Sequence, residues 1–155
     1  MNKMVDVEVI LDDKFEDPKI TIRTKERTKQ IDDIVEAIEN AADAEFPMLP
    51  GLSGEKVELL SQRDIVRVYT SGRKLIIQTD NNSYFSTKSL SNVEEILNSD
   101  RFIKISQSEI VNIRKVKNFE IKLAGTIGIV FENGEKTWAS RSRVKYIKAM
   151  LKKYS

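Results

Sequence analysis

The 155-residue chain contains no cysteine and no histidine. Without cysteine there are no disulfides, which is the composition expected in a reducing compartment. The two absences together remove the usual ligands of zinc, haem and iron–sulfur centres, and with them the Ser–His and Cys–His nucleophile pairs. No enzymatic role, metal or cofactor is expected. No apolar run is long enough to span a bilayer and no basic-then-apolar leader is present. A soluble, cytoplasmic protein that is not itself membrane-inserted is therefore expected. The length fits one domain, or one domain with a short appendage, and is enough to bury a real core.

The formal net charge of +2 hides an asymmetry. Residues 1–54 hold 7 Lys and Arg against 13 Asp and Glu, a net of −6; residues 55–155 hold 19 against 11, a net of +8. Opposite signs in the two halves point to a polyanion facing the second half only.

In the acidic half, Val5-Asp6-Val7-Glu8-Val9-Ile10 alternates at period two and predicts a strand. Lys19-Ile20-Thr21-Ile22-Arg23 predicts its hairpin partner. Thr28 can cap a helix whose apolar positions Ile31, Ile34, Val35, Ile38 and Ala42 recur at helical spacing. Residues 1–54 are thus expected to be a small strand-strand-helix module, closed by a connector over residues 46–54 where two prolines and two glycines interrupt regular structure. Asp12-Asp13 follows an apolar strand, as in the acidic pocket of a response-regulator receiver, but the chain is too short for that fold and a solvated turn is the better reading. Glu94-Glu95 is no better as a catalytic carboxylate pair, because consecutive side chains on a helix do not face each other.

From Val57 the pattern changes to short strands: 57–60, 65–69, 74–79 and 83–87, then strands near 116–123, 127–131 and 136–140. Thr70-Ser71-Gly72-Arg73, Asp80-Asn81-Asn82 and Asn133-Gly134 supply hairpin chemistry. Ser91-Asn92-Val93-Glu94 predicts a capping box opening a short helix. Between that helix and residue 116, two apolar halves, Phe102-Ile103 with Ile105 and Ile110-Val111 with Ile113, bracket a polar insert, Ser106-Gln107-Ser108, preceded by Lys104. The insert carries hydroxyls and an amide and no nucleophile–base pair; it is built to grip rather than to react. A final helix, about 143–153, aligns Val144, Ile147, Leu151 and Tyr154 on one face. Residues 136–155 hold seven cations and no acid, with Arg141 and Arg143 at the strand-to-helix junction, where first-turn amides favour a phosphate.

The order of these features resembles the LytTR (LytR/AlgR-type) DNA-binding domain over residues 57–154. The likeness is carried by Ser89-Leu90 before the short helix, Phe-Ile-Lys-Ile-Ser-Gln-Ser with Ile-Val-Asn over 102–112, Asn133-Gly134, and Ser140-Arg141 opening the last helix. The resemblance implies an α+β, mostly-β domain over residues 55–155 that places three loops in successive major grooves of double-stranded DNA, often as a dimer on repeated sites, and regulates transcription in bacteria. The first loop falls on Gly72-Arg73-Lys74, the second on Ser106-Gln107-Ser108 and the third on Arg141-Ser142-Arg143. Arg73 and Arg143 suit guanine and Gln107 suits adenine, while Lys104 and Lys145 are expected on phosphate. Asn112 is expected to be structural. With no receiver, control by a membrane-protein inhibitor rather than phosphorylation is implied, with residues 1–45 as a dimer contact or docking surface. The other reading of the same charge map is a protein-interaction module whose basic loops meet an acidic partner.

Overall fold

The computed structural model describes residues 4–43 and 46–154, without the side chains of Asp43 and Tyr154. The chain divides into two compact units, residues 1–42 and 43–155.

In the first unit a single helix, α1 (Lys29–Asp43), is the regular element. Thr28 starts it as expected: its hydroxyl accepts from the Ile31 amide at 3.4 Å and its carbonyl from the Asp32 amide at 3.0 Å. Lys29 pairs with Asp33 at 2.9 Å, one turn on. Ile31, Ile34, Val35 and Ile38 are half-buried, while Ala42 is exposed. The expected strand pair at 5–10 and 19–23 is not formed; residues 4–28 contain no strand. Val7, Val9 and Ile10 stay exposed, and a hairpin with an uncovered apolar face is marginal in water.

The second unit is two sheets with two helices. The larger sheet has the order β2-β1-β5-β4-β3-β7-β6, built from β1 (Leu49–Ser53), β2 (Lys56–Leu60), β3 (Ile65–Ser71), β4 (Lys74–Thr79), β5 (Ser83–Ser86), β6 (Phe102–Ser106) and β7 (Glu109–Asn112). The smaller has the order β10-β9-β8, from β8 (Val116–Ile121), β9 (Ile127–Phe131) and β10 (Lys136–Trp138). All described pairings are antiparallel. This is the mostly-β, α+β fold that the strand spacing and the family resemblance predicted.

Alternation along the strands splits the core in two. Ile65, Val68, Leu75, Ile77 and Ile110 point to one face, where helix α2 (Leu90–Ile96) covers them with Leu90 and Val93. Val66, Ile103, Ile105 and Val111 point to the other, against Ile127, Ile129 and Phe131 of β9 and Ile147 of helix α3 (Arg141–Leu151). Val144 and Leu151 join this second cluster as expected; Tyr154 lies outside the described side chains. Helix α2 is capped by Ser89, whose hydroxyl accepts from the Asn92 amide at 3.1 Å, not by the expected Ser91 box. Starting two residues earlier turns Leu90 and Val93 together into the core.

The stretch expected to be an irregular connector carries β1. Gly54, at φ +60°, makes the two-residue turn back into β2. Pro50 lies across from Leu59, and Leu52↔Phe85 is the one register pair between β1 and β5, so the missing N–H of Pro50 costs no ladder bond there. At Gly51 a Cβ would stand 2.9 Å from the Tyr84 side chain, so only glycine leaves room for that side chain against the strand. Gln62 locks this corner: buried, it donates to the Pro47 and Ile96 carbonyls at 2.9 and 3.1 Å and accepts from the Asn98 amide at 2.9 Å.

Asn112 is structural, as its sequence context implied. Fully buried, it donates from Nδ2 to the Ile65 carbonyl at 2.8 Å and accepts from the Arg114 amide at 3.0 Å. Asn112→Asp keeps the shape but sets a carboxylate against that carbonyl. We expect a loss of about 2–3 kcal/mol in unfolding free energy by urea titration; an unchanged midpoint would deny the amide this role.

Candidate nucleic-acid interface

Three polar turns converge because of strand register. Ser71 pairs with Lys74 across the β3–β4 turn, Tyr69 pairs with Glu109, and Ser106 pairs with Glu109 across the β6–β7 turn. Both hairpin tips therefore leave the same end of the larger sheet. The two are joined directly: the Thr70 amide donates to the Ser108 carbonyl at 2.9 Å.

The start of α3 is tied to the same place. The Ser140 amide donates to the Ile105 carbonyl at 2.8 Å, its hydroxyl points to the same oxygen at 3.4 Å, and Arg143 Nε donates to the Lys104 carbonyl at 2.8 Å. The turns holding Arg73, Gln107 and Arg141 thus form one chain of backbone contacts.

Each predicted residue can now be placed. Arg73 and Lys74 are exposed; Gly72, at φ +62°, makes the tight turn that presents Arg73. Lys74 lies over the Phe85 ring at 4.6 Å. In the second turn Ser106 Oγ accepts from the Ser108 amide at 3.2 Å and meets Ser108 Oγ at 3.3 Å. The two serines shape the turn and leave Gln107 exposed at its tip. Lys104 is half-buried at its base.

In the third, Arg141 and Ser142 are exposed in the first turn of α3, and Ser142 Oγ meets Ser140 Oγ at 3.1 Å. Arg143 is half-buried and partly committed: besides its bond to Lys104, its guanidinium stacks on Tyr146 at 4.3 Å. Its terminal nitrogens have no hydrogen-bond partner among the described residues. Arg141, Lys145, Lys148 and Lys152 recur at spacings of four and three as an exposed row flanking the buried face of Val144 and Ile147.

Sequence reasoning missed the residue that holds this end together. Arg67 on β3 donates through Nε to Gln78 Oε1 at 2.8 Å, through Nη1 to Glu109 Oε2 at 3.1 Å and through Nη2 to Glu135 Oε2 at 3.2 Å. Gln78 Nε2 reaches the same Glu135 oxygen at 2.6 Å, and Thr137 Oγ1 donates to Glu109 Oε1 at 2.8 Å. The guanidinium also lies 4.7 Å from the Tyr69 ring and 5.6 Å from the Phe131 ring. One side chain so clamps β3, β4 and β7 to the β9–β10 hairpin, and its acid, Glu109, begins the strand that follows Gln107. The signal was a lone arginine in an apolar strand with no acid beside it in sequence.

Among the described residues, no group of three or more His, Cys, Asp or Glu is arranged to hold a metal ion, and no helix is long and apolar enough to cross a membrane.

Comparison with known proteins places the chain in a family. The family model of the LytTr DNA-binding domain matches residues 55–152. The transcriptional regulatory protein LytR of Staphylococcus aureus (strain N315) is 31% identical over 121 residues, which is 77% of this chain and 49% of that protein. The sensory transduction protein LytT of Enterococcus faecalis is 30% identical over 139 residues, 88% of this chain and 57% of that protein. The chain therefore spans about half the length of these curated relatives. Among solved structures, a LytTr DNA-binding domain from Bacillus cereus superposes with a TM-score of 0.65 at 20% identity, over 68% of this chain and 96% of that one.

Arg67→Met should cost about 2–4 kcal/mol of stability by strands-to-coil urea melts, because it leaves the half-buried Glu109 carboxylate without its cation. The double variant with Glu109→Gln should cost less than the two single changes summed. Strict additivity would mean that the pair is not coupled.

Proposed function

Since this chain belongs to the LytTR family of DNA-binding domains, we propose that it is a sequence-specific transcriptional regulator that lays its three linked turns into successive major grooves of double-stranded DNA. The observation carrying this reading is the hydrogen-bonded continuity from Thr70 to Ser108 and from Lys104 and Ile105 to Arg143 and Ser140. It sets exposed Arg73, Gln107 and Arg141 along one end of a rigid sheet.

The side chains divide the work by chemistry. Arg73, and the outer fork of Arg143, suit the paired acceptors of guanine, and the Gln107 amide suits adenine. Lys104, Arg141, Lys145 and the hydroxyls of Ser106, Ser108 and Ser142 suit phosphate oxygens, which fix register without reading sequence. Lys74 joins that group from beside the first turn.

Two copies on repeated sites, and control through residues 1–45 by a protein partner such as a membrane-bound inhibitor, complete the proposal. The support is the charge of the two halves: an acidic segment beside a basic domain is suited to bind something other than DNA. Against a selected repeat site, Arg73→Ala, Gln107→Ala and Arg143→Ala should each lose about 1–3 kcal/mol and relax preference at one base pair. Lys145→Ala should weaken all duplexes alike and flatten the salt dependence by about one counterion. Titrations at several salt concentrations on specific and random DNA separate the two classes; equal losses on both duplexes for all four variants would refute the roles.

A further inference from the structure

Among the described residues of the second unit, the second face of the larger sheet is covered where β3, β7 and β6 lie against β9 and α3. Beyond that cover the same face continues as an apolar row of cross-strand neighbours. Ile76 stands opposite Phe85, Phe85 opposite Leu52, and Leu52 opposite Val57. The row ends at β2, the outermost strand. Val57, Leu59 and Phe85 are 60%, 68% and 46% exposed.

The backbone of β2 is equally unfinished. Ser53 and Lys56 close a two-residue hairpin, so alternate residues, Lys56, Glu58 and Leu60, bond inward to β1. Pro50, opposite Leu59, fits this phase because its missing N–H would break a bonded pair. Val57 and Leu59 therefore aim their N–H and C=O groups away from the sheet, beside an exposed apolar stripe. Such an edge is a template for another strand.

We propose that this edge is an interface between two copies of the chain, which pair β2 to β2 antiparallel about a two-fold axis through Val57. The charge pattern selects this occupant. Lys-Val-Glu is self-complementary under that operation: Lys56 of one copy faces Glu58 of the other, and the pairing occurs twice. Val57 meets its own copy in a hydrogen-bonded pair, as its outward backbone groups require, and the two apolar rows merge into one band. Glu58 is already oriented by the Tyr84 hydroxyl, which donates to Oε2 at 2.6 Å. The β6–β7 turn lies at the opposite end of the strand order, so pairing through β2 leaves it free. This inference deepens the proposed two-copy binding of DNA, and it is tested without DNA so that it stands or falls separately.

Sedimentation equilibrium of the full chain gives the test. The wild type should be a reversible dimer. Lys56→Glu and Glu58→Lys should each weaken it about tenfold or more by placing like charges opposite one another, and the double swap K56E/E58K should restore it. Val57→Lys, at an exposed position, should yield a monomer whose far-UV circular dichroism matches the wild type and whose thermal midpoint no longer depends on concentration. A wild type that stays monomeric up to about 1 mM, the weak end of specific association, overturns the proposal. So does a dimer indifferent to Val57→Lys, or a double swap no tighter than the single changes.

Discussion

The contact on which the end of the domain carrying the three turns depends is the guanidinium of Arg67. Two sheets pack together there through their apolar side chains, and those contacts cannot by themselves set how one is turned on the other. A planar group with five donors can: Arg67 binds Gln78 and Glu109 within the larger sheet and Glu135 from the smaller, while Phe131 packs on its face. With the side chains of Arg67 and Glu109 only 17% and 12% exposed, the charges sit in a medium where a lost partner is expensive. The geometry they enforce is correspondingly narrow.

That narrowness is transmitted to the three turns. Glu109 begins β7, two residues after Gln107, and is gripped by both Arg67 and Thr137. The second turn is therefore held from β3 and β10 at once. Its neighbours are tied on by hydrogen bonds, main chain to main chain from Thr70 to Ser108 and from Ser140 to Ile105, and from the Arg143 side chain to the Lys104 carbonyl. Backbone bonds between adjacent segments cannot be remade a few ångströms away, so the spacing of Arg73, Gln107 and Arg141 is a property of the scaffold rather than of three independent loops. The proposed reading of successive grooves requires such fixed spacing, since the repeat of the duplex is itself fixed.

The N-terminal unit follows a different rule. Its helix forms because Thr28 caps it and because Ile31, Ile34, Val35 and Ile38 share a face, but the alternating segment before it forms no strand among the described residues. Strand pattern states which residues would share a face; it does not supply the neighbour that buries them. The same reasoning explains β1. Pro50 and Gly51 argue against a strand when read locally, yet Gly51 makes room for Tyr84 and Pro50 falls where no donor is missed.

Sequence alone determined what is local. Strands 74–79 and 127–131 were legible to the residue because turn residues bound them at both ends, and the hairpins at Gly72 and Gly134 because both glycines adopt positive φ. The charge of the basic half, the fold class and the exposure of the polar turns at Arg73, Gln107 and Arg141 were legible for the same reason: composition and motif order are carried by neighbours in the chain. Tertiary structure decided everything that depends on partners far apart in sequence. It recruited Arg67, whose acids lie 42 and 68 residues away, seated Gln62 against carbonyls 15 and 34 residues away, and made β1 a strand. It also committed half of Arg143 to the scaffold. Side-chain periodicity records which face a residue shows, but only the folded chain settles what meets it there.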